Sequence, residues 1–258
     1  MESAALRAVV VTGASAGIGE QFARQLAVAG HHLVLVARRL DRLEALGSEL
    51  QERHNIQVVC IACDLAKPSA AEELVAALAE KQVEVTGLIN NAGFGDRGFV
   101  EALSLQRQLD MIQVNVTSLV DLTWRLLPGL KKVANSFIIN VASTAAFQAG
   151  PNMAVYYASK AFVLSFSEAL HEELKGDGVA VSALCPGATD SEFASEANMT
   201  ETMLFKAGTM SAEAVVRKAL AARRRAIVIP GLKNLLLVWM GKLSPRMITR
   251  RLAGILQA

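Results

Sequence analysis

Residues 9–19, which read VVVTGASAGIG, carry the clearest structural signal in this chain. The run begins with three β-branched apolar residues, which are typical of a strand buried on both faces. Three glycines follow, and residues 18–29 then have helical periodicity up to Gly30. This stretch therefore predicts a buried strand, a tight glycine turn and the start of a helix.

The same alternation of strand and helix continues along the chain. Predicted strands cover residues 9–11, 33–37, 57–62, 87–90, 137–141, 179–184 and 226–229, and predicted helices cover 18–29, 40–53, 69–81, 104–127 and 154–175. No internal repeat or linker divides the chain. The pattern predicts an α/β fold, a Rossmann-type doubly wound parallel β-sheet with helices on both faces, in a single domain over residues 1–258.

A glycine turn between a first strand and a first helix can bind phosphate. Its backbone approaches a ligand closely, and the amide N–H groups of the helix N-terminus can hold a pyrophosphate. A loop that merely needs positive φ is the alternative, but the position between strand and helix favours a dinucleotide site. The glycine spacing is Gly-x-x-x-Gly-x-Gly, preceded by Thr12.

Four further motifs follow this turn. They are Asn90-Asn91-Ala92-Gly93 after the fourth strand, Asn115 in the long helix, Ser143 with Tyr156-x-x-x-Lys160, and Pro186-Gly187 with Thr189 after the sixth strand. Their order, together with the glycine turn, resembles the short-chain dehydrogenase/reductase family over about residues 9–189. The resemblance implies an oxidoreductase that moves a hydride between a nicotinamide cofactor and a carbonyl or alcohol.

The tyrosine–lysine pair suits acid–base chemistry. Tyr156 and Lys160 are i and i+4 on one helix, so their side chains share a face. A phenol has an ordinary pKa of about 10, and a nearby ammonium together with an oxidised nicotinamide is expected to lower it. Ser143 can hydrogen-bond the same substrate oxygen. The resemblance implies that Asn115 holds a water linking Lys160 to solvent.

Each of these residues also has a purely structural interpretation. A tyrosine and a lysine at this spacing often form a surface pair, Asn115 can cap or kink its helix, and Ser143 can close a turn. The shared register of the motifs argues against all of these at once. Tyr157 lies three residues from Lys160 and breaks the motif spacing, so we interpret it as a packing residue.

The end of the second predicted strand indicates the cofactor. An acid about 20 residues after the glycines would bind the ribose hydroxyls of NAD, but here the strand ends in Arg38 and Arg39. A guanidinium can pair with a 2′-phosphate, so NADP(H) is predicted. The alternative is a solvated helix start. Asp41, with Glu44 three residues on, is predicted to be the N-cap of the next helix.

The resemblance implies the remaining cofactor contacts. Asp64 would contact adenine, Asn91 and Gly93 would line the ribose, and residues 186–189 would cover the nicotinamide carboxamide. The predicted catalytic residues are Tyr156, Lys160, Ser143 and Asn115. The predicted cofactor-binding residues are Gly13, Ser15, Ala16, Gly17, Ile18, Gly19, Arg38, Arg39, Asp64, Leu65, Asn91, Ala92, Gly93, Tyr156, Lys160, Pro186, Gly187 and Thr189.

The substrate is indicated only by apolar residues. A flexible set typical of a mobile lid follows Thr189; it comprises Phe193, Met199, Met203, Leu204, Phe205 and Met210. Three more apolar residues, Phe94, Phe147 and Met153, lie beside the motifs. An apolar carbonyl compound, such as a 3-oxoacyl, steroid-like or aromatic ketone, is favoured over a sugar, although these residues suit an interface core equally well. We predict a cofactor part over about residues 1–150, and a substrate lid with a C-terminal helical extension over about 189–258.

Partners and rival functions follow from the same pattern. The helices around Asn115 and Tyr156 are apolar on more than one face, which predicts a homodimer or homotetramer. A catalytically silent NADP-sensing regulator can have this fold, but it is expected to lose Tyr156, Lys160 or Ser143. A sugar-nucleotide epimerase or dehydratase has another glycine spacing and a larger C-terminal substrate domain than the 69 residues that follow Thr189.

Composition bounds the remaining classes. The chain has 258 residues, 52% of them hydrophobic and 19% charged, which indicates a large core rather than disorder. No secretory signal and no apolar run of about 18 residues is present. Cys60, Cys63 and Cys185 indicate no disulfide framework, which predicts a cytoplasmic location. Cys60 and Cys63 have the spacing of a redox or zinc pair but lie at a strand without a second pair, so we predict no metal; no nucleic-acid partner is expected either.

Charge is concentrated at the C-terminus. From Lys206 onward there are eleven Lys or Arg residues and one acid, Glu213, a net +10 in a chain of net +2. This asymmetry suits either a solvated helical rim or an anionic partner. Leu232, Leu236 and Trp239 recur there at helical spacing. Such a helix can lie in a membrane interface, or it can pack over the substrate pocket or another subunit, which we favour because most apolar stripes are buried.

Overall fold

The computed structural model describes residues 5–197, 199, 202 and 208–257. The strands are β1 Leu6–Thr12, β2 His32–Ala37, β3 Val58–Ala62, β4 Val83–Asn90, β5 Phe137–Val141, β6 Ala180–Leu184, β7 Thr189–Asp190, β8 Met210–Ser211 and β9 Ile227–Val228. The helices are α1 Gly17–Val28, α2 Leu40–His54, α3 Ala70–Glu80, α4 Leu105–Ile112, α5 Ser118–Leu130, α6 Ala154–Glu173, α7 Phe193–Glu196, α8 Ala212–Ala221, α9 Leu232–Leu243 and α10 Arg246–Gln257.

Within the described residues the strands form one parallel seven-stranded sheet in the order β3-β2-β1-β4-β5-β6-β9, and β7 pairs with β8 in a separate small ladder. Both faces of the large sheet are covered. Leu26 of α1, Leu43 of α2 and Val215 of α8 pack on one face, whereas Leu74 of α3 and Leu122 of α5 pack on the other, together with α6. The predicted Rossmann-type, single-domain α/β fold is therefore confirmed.

The alternation of side chains along β1 explains this layering. Val9 and Val11 point into one core and Ala8 and Val10 into the other, and all four are fully buried. A strand that is buried on both faces needs apolar residues at every position, not at every second one. That requirement accounts for the uninterrupted apolar run that made the first strand recognisable.

The strand order places one end of the sheet in a special position. The chain runs outward from β1 to β3 and then returns to β4 on the other side of β1. Two crossovers therefore leave in opposite directions from the carboxyl ends of β1 and β4, and this divergence opens a crevice there. The glycine turn follows β1 at this crevice, and Asn91 follows β4.

Two local expectations differ from the structure. The helix predicted over 104–127 is interrupted by a π-helical segment, Gln113–Thr117, between α4 and α5. Asp41 is not an N-cap, because α2 begins at Leu40 and its capping residue is Arg39, with no side-chain cap bond. The Asp41 carboxylate lies instead in the first turn, where the helix dipole favours a negative charge.

Two findings concern the part of the chain that the structure describes. None of its helices is long and apolar enough to span a bilayer. No cluster of His, Cys, Asp or Glu side chains in it is arranged to hold a metal ion. Three residues of the predicted lid, Met203, Leu204 and Phe205, lie outside the described residues.

Candidate active site

The glycine turn forms one end of the candidate site. Gly13 and Gly17 have φ of +64° and +56°, a backbone conformation that side chains with a Cβ rarely adopt. Gly19 has a different reason to be glycine: a Cβ there would overlap the carbonyl oxygen of Gly13 and lie 2.5 Å from Asn91 Nδ2. Helix α1 therefore packs directly against the turn, and its first amides face the crevice.

Thr12 ties this turn to the end of β4. Its Oγ1 donates a hydrogen bond to the carbonyl of Ile89 and accepts from the amides of Asn91 and Ala92, at 3.0 to 3.2 Å. In return, Asn91 Nδ2 donates to the carbonyl of Thr12 at 2.9 Å. Side chains of the two motifs thus fix the two loops that border the crevice in position relative to each other.

We expect Gly19→Ala to damage the crevice while leaving the fold intact. The added methyl group has no space beside Gly13, so the turn must move; overpacking of this kind typically costs about 1–3 kcal/mol. Affinity for a dinucleotide should fall at least about tenfold, the equivalent of about 1.4 kcal/mol. Isothermal titration and urea unfolding measure the two effects.

Gly129→Ala is the matched control for this change. Gly129 lies in α5, and a Cβ added there meets nothing within 4 Å. Replacing glycine by alanine within a helix is stabilising by up to about 1 kcal/mol, so this variant should bind dinucleotide like the wild type. Unchanged dinucleotide affinity in Gly19→Ala would contradict the assigned role of the turn.

Tyr156 and Ser143 meet at the other end of the crevice. Tyr156 lies in the first turn of α6, only 8% exposed, with its ring 5.4 Å from that of Phe193 and edge-on to Tyr157. The Ser143 side chain interacts with this phenol and lowers its pKa, against the larger rise that burial causes. Ser143 also accepts a bond from the amide of Ala145 at 3.1 Å, so it closes a turn and faces the phenol at once.

Lys160 lies one turn further along α6 and is buried. Its Nζ donates a 2.7 Å hydrogen bond to the carbonyl of Val141 at the end of β5 and lies 5.9 Å from the centre of the Tyr156 ring. The bond to β5 holds the ammonium behind the tyrosine ring. The i and i+4 spacing therefore places both side chains at the same wall, as predicted.

Burial dominates the ionisation of both groups. It raises the pKa of Tyr156 above its ordinary value, and the interaction with Ser143 offsets only part of that rise. Burial also lowers the pKa of Lys160 to about 8. We expected Lys160 to lower the pKa of the phenol, but desolvation of the phenolate raises it, and Lys160 is not among the groups that shift it here. The phenol is therefore held in its protonated, proton-donating form.

Asn115 lies behind this wall rather than in it. Its Oδ1 accepts from the amide of Phe94 at 3.1 Å, and its Nδ2 donates to the carbonyl of Phe94 and to Ser159 Oγ. The π-helical segment turns Asn115 inward, since π-bulges shift the side chains that follow them and often occur at functional sites. An ideal Cβ on Gly93 would lie 2.9 Å from Asn115 Oδ1 and 3.3 Å from Lys160 Nζ, so both side chains adjoin the same glycine.

Arg39 lies next to the glycine turn, as the sequence predicts. Its Nη2 donates to Ser15 Oγ at 3.1 Å and to Glu192 at 3.0 Å, and Arg42 pairs with the same carboxylate at 2.6 Å. The pKa of Glu192 is lowered, first by its hydrogen bond with Arg42 and then by that with Arg39. Arg38 is exposed at the rim of the same crevice.

A single cleft of about 1330 Å³ joins these parts. Ligand pockets are usually about 300–1,000 Å³, so the cleft has room for a dinucleotide and a second, smaller molecule. All the predicted site residues line it except Gly19 and Asn115, which lie behind its wall. Asp64, Leu65 and residues 186–189 are among the residues that line it.

The C-terminal helices roof the cleft near Tyr156. Asn234 of α9 lies so close to Gly187 that a Cβ there would collide with its amide. Leu237 and Val238 of α9 and Ala253 of α10 also line the cleft. The other side chains at this end are mostly apolar; they include Phe94, Phe147, Tyr157, Phe193, Met199 and Met210.

Sequence reasoning missed several residues of this site. Glu192 had no recognisable motif, and its partner Arg39 lies 153 positions away. The sequence analysis assigned no role to Asn234, which lies in a leucine-rich helix. A single amide side chain at an inward position of an apolar helix can nevertheless indicate a polar contact. Arg107 lines the cleft with its charge paired to Asp96 at 2.8 Å, which only the folded chain reveals.

Known proteins resemble this chain over most of its length. A sequence model of the family described as short chain dehydrogenase matches residues 7–202. The sulfoacetaldehyde reductase of Chromohalobacter salexigens is 43% identical over 72% of this chain and 73% of that protein. The very-long-chain 3-oxoacyl-CoA reductase of Coprinopsis cinerea is 36% identical over 67% of this chain. That match spans only 51% of the longer fungal protein.

Solved structures show the same architecture with a bound dinucleotide. A short-chain dehydrogenase from Sphingobium yanoikuyae in complex with NADPH has a TM-score of 0.81 and 31% identity, covering 93% of this chain and 97% of that one. A short chain dehydrogenase/reductase from Burkholderia phymatum in complex with NAD has a TM-score of 0.78 and 26% identity, covering 93% and 94%. Proteins of this architecture therefore bind either nicotinamide dinucleotide.

Proposed function

This chain belongs to the short-chain dehydrogenase family, and from that premise we propose that it is an NADP(H)-dependent reductase of an apolar ketone or aldehyde. One observation carries the proposal. The buried, protonated phenol of Tyr156, with the Ser143 side chain beside it, lies in the wall of the same cleft that begins at the glycine turn. A proton donor and a dinucleotide cradle in one cleft are what carbonyl reduction requires.

The residues present fit a dinucleotide. The positive φ of Gly13 and Gly17 leaves the backbone of the turn open to a pyrophosphate, and Arg39 lies next to Ser15 at the same end. Asp64 and Leu65 would hold the adenine end, Asn91 to Gly93 the ribose, and residues 186–189 the carboxamide. When bound, the reduced nicotinamide supplies the hydride that the carbonyl carbon accepts.

The side chains then handle the oxygen of the substrate. Tyr156 donates its proton to the carbonyl oxygen, and Ser143 hydrogen-bonds that oxygen as its negative charge develops. The phenolate that remains is stabilised by the Lys160 ammonium behind the ring and recovers a proton from solvent. Asn115 acts as a positioning residue, because it holds the backbone around Phe94 beside Gly93 and Lys160.

The preference for NADP(H) rests on Arg38 and Arg39. No acidic side chain ends β2, and a guanidinium suits a 2′-phosphate. In the structure Glu192 binds Arg39, so a phosphate must compete with that carboxylate. The pair also links the cofactor end of the cleft to the segment just before α7.

We expect the double variant Arg38→Gln/Arg39→Gln to lose its preference for NADPH. Charge-assisted hydrogen bonds contribute about 1.5–3 kcal/mol each, so the ratio of kcat/KM for NADPH to that for NADH should fall by about 10-fold if one such bond is lost and by more than about 100-fold if two are lost. Kinetics with NADH should change little, because NADH has no 2′-phosphate. Steady-state kinetics with both cofactors measure the ratio.

Two further variants sharpen this test. Arg53→Gln removes an exposed arginine from the last turn of α2, the helix that begins directly after Arg39. Arg53 pairs with Glu49 and lies outside the cleft, so this variant should leave the ratio unchanged. Glu192→Gln should raise the affinity for NADPH, because it releases Arg39 from its carboxylate partner. Equal kcat/KM for NADPH and NADH in the wild type would refute the preference.

The substrate assignment rests on the apolar side chains around Tyr156. Phe94, Phe147 and Phe193 surround the phenol end of the cleft, and the nearby cation Arg107 is paired with Asp96. An apolar acyl, steroid-like or aromatic carbonyl compound suits this surface better than a small anion or a sugar. The name of one relative refers to a long acyl thioester and that of another to a small sulfonate aldehyde, so the two substrate types can be compared directly.

A substrate panel tests this function. NADPH oxidation is followed with medium- and long-chain 3-oxoacyl thioesters, steroid and aromatic ketones, sulfoacetaldehyde and a ketose. We expect kcat/KM to rise with apolar surface. Faster reduction of sulfoacetaldehyde or the ketose would overturn the substrate class but not the reaction.

We also propose that the protein is a homo-oligomer. Trp124 of α5 and Phe162 of α6 are 72% and 43% exposed, and Leu105 and Leu109 of α4 are exposed as well. Large apolar side chains that remain exposed on several helices are typical of a subunit interface. Sedimentation equilibrium measures the association.

A further inference from the structure

The C-terminal helices carry a second apolar surface, most of which lies outside the cleft. Large apolar side chains, each more than half exposed, project from α9 and α10; the main ones are Leu232, Leu236, Trp239, Leu243, Leu252 and Ile255. We call this the C-terminal apolar surface. Monomeric proteins rarely expose so many large apolar side chains together, and such patches mark contacts with a partner or a membrane.

Helix α9 packs on the rest of the protein through one side only, so the C-terminal apolar surface is not needed to hold the helix in place. Val238 is 6% exposed and Asn234 is packed on Gly187, so this side of the helix roofs the cleft. Leu236, Trp239 and Leu243 recur at intervals of three and four residues on the outward side, and Leu232 lies at the edge, where it is exposed and also lines the cleft. Helix α10 repeats the division, with Ala253 2% exposed, Ile255 outward and Leu252 exposed at the edge of the cleft. The interpretation favoured from the sequence, packing over the pocket, therefore applies to the inward faces, and the outward faces are exposed.

The charge around this surface has one sign. Lys242, Arg246, Arg250 and Arg251 are all exposed, and residues 232–257 contain no Asp or Glu. A twofold contact between copies of this surface would bring the cations of one copy against those of the other. The charge therefore disfavours self-association through this surface and favours an anionic partner.

We propose that the C-terminal apolar surface docks on an anionic lipid bilayer. Its leucines and Trp239 enter the interfacial layer, and the four cations contact phosphate and carboxylate headgroups. The helices lie in the interface and do not cross it. The geometry has a consequence for the cleft, because Leu237, Met240 and Leu252 both line the cleft and are exposed on these helices. Docking would place the mouth of the cleft at the bilayer, where apolar carbonyl compounds collect.

The two tryptophans of the chain provide the test. Trp124 on α5 and Trp239 on α9 are 72% and 57% exposed, and the sequence has no third. Trp124→Phe leaves Trp239 as the only indole, and Trp239→Phe leaves Trp124. Each variant is titrated with vesicles of phosphatidylcholine alone or mixed with phosphatidylserine, and fluorescence and co-sedimentation are measured at low and high salt.

We expect the Trp239 emission to shift to the blue with phosphatidylserine vesicles, while the Trp124 emission does not move. Binding should be at least about tenfold weaker to neutral vesicles, and it should weaken in about 1 M salt, where the screening length falls to about 3 Å. Arg250→Gln/Arg251→Gln should weaken binding about tenfold or more, with NADPH oxidation in solution unchanged.

Three results would overturn the proposal. The first is no shift of Trp239 with anionic vesicles at low salt. The second is a blue shift of Trp239 that grows with protein concentration in the absence of lipid, which would assign the surface to a second copy of the chain. The third is a shift with a soluble acidic polypeptide but not with vesicles, which would assign it to a protein partner. Binding does not depend on turnover, so this test stands apart from that of the proposed reaction.

Discussion

Tyr156→Phe is expected to lower the rate of carbonyl reduction at least about 100-fold while NADPH binding is retained, because general acid catalysis typically contributes about 10²–10⁴. The substitution removes one hydroxyl group and keeps the ring that packs on Phe193 and Tyr157. The phenol is buried with a raised pKa, so it is protonated at neutral pH and is the donor that disappears. Single-turnover kinetics at saturating NADPH measure the chemical step.

Tyr157→Phe is the matched control. Tyr157 is the next residue of the same helix, is 6% exposed and lines the same cleft. Loss of its hydroxyl should change the rate by less than about tenfold, since a hydrogen bond contributes about 0.5–1.5 kcal/mol. Comparable turnover of Tyr156→Phe and the wild type would contradict the assigned mechanism, as would an equal loss in both variants.

Lys160→Met is expected to lower the reduction rate by about 10²-fold without lowering stability at neutral pH. The variant removes the ammonium that stabilises the phenolate, so the loss should appear in kcat. Methionine fills a similar volume, and replacing a buried charge by an apolar side chain is often neutral or stabilising. A role limited to packing would give the opposite result, with lower stability and normal turnover.

The pH dependence of stability tests the ionisation of Lys160. Burial lowers its pKa to about 8 from an ordinary 10.5. Between these values the unfolded chain keeps a proton that the folded protein has released, so the free energy of unfolding should rise with pH, by up to about 1.4 kcal/mol per pH unit. The raised pKa values of Cys60, Cys63 and Cys185 act in the opposite direction above about pH 9, and that of Tyr156 does so above about pH 10. The contribution of Lys160 between pH 8 and 10 is therefore measured as a difference from a variant that lacks it.

Urea unfolding of the wild type and of Lys160→Met at several pH values measures this difference. The free energy of the wild type should increase relative to that of the variant between pH 8 and 10. A constant difference across this window would show that Lys160 keeps its proton in the folded protein.

Sequence reasoning succeeded where the signal is local. The strand, turn and helix of residues 9–19 are specified by neighbouring residues, because glycine supplies positive φ and continuous apolar residues suit a central parallel strand. Tyr156 and Lys160 share a helix face for the same local reason. Ser143 was expected beside Tyr156 because Ser143 follows β5 and Tyr156 lies at the start of α6, the next long helix. The order of these two elements could itself be predicted from the sequence.

Sequence reasoning failed where long-range contacts decide the outcome. The pKa of Tyr156 depends on how deeply the folded chain buries it, and the pairing of Arg39 with Glu192 depends on where a distant loop returns. Asp41 is a residue type that commonly caps helices, yet α2 starts two residues earlier than a cap at Asp41 would place it, with Arg39 as the capping residue. The inward turn of Asn115 comes from a π-helical segment that residue periodicity does not reveal.

Isotope transfer tests the central claim most directly. The protein is incubated with an apolar ketone from the panel and NADPH carrying deuterium at C4 of the nicotinamide, on one face at a time, and the alcohol product is examined by mass spectrometry and NMR. The proposed function predicts that deuterium from one face only appears on the carbinol carbon, and that Tyr156→Phe forms this product at least about 100 times more slowly. NADPH bound in the cleft without any carbonyl-dependent oxidation, or an alcohol product without deuterium from either face, would contradict the account.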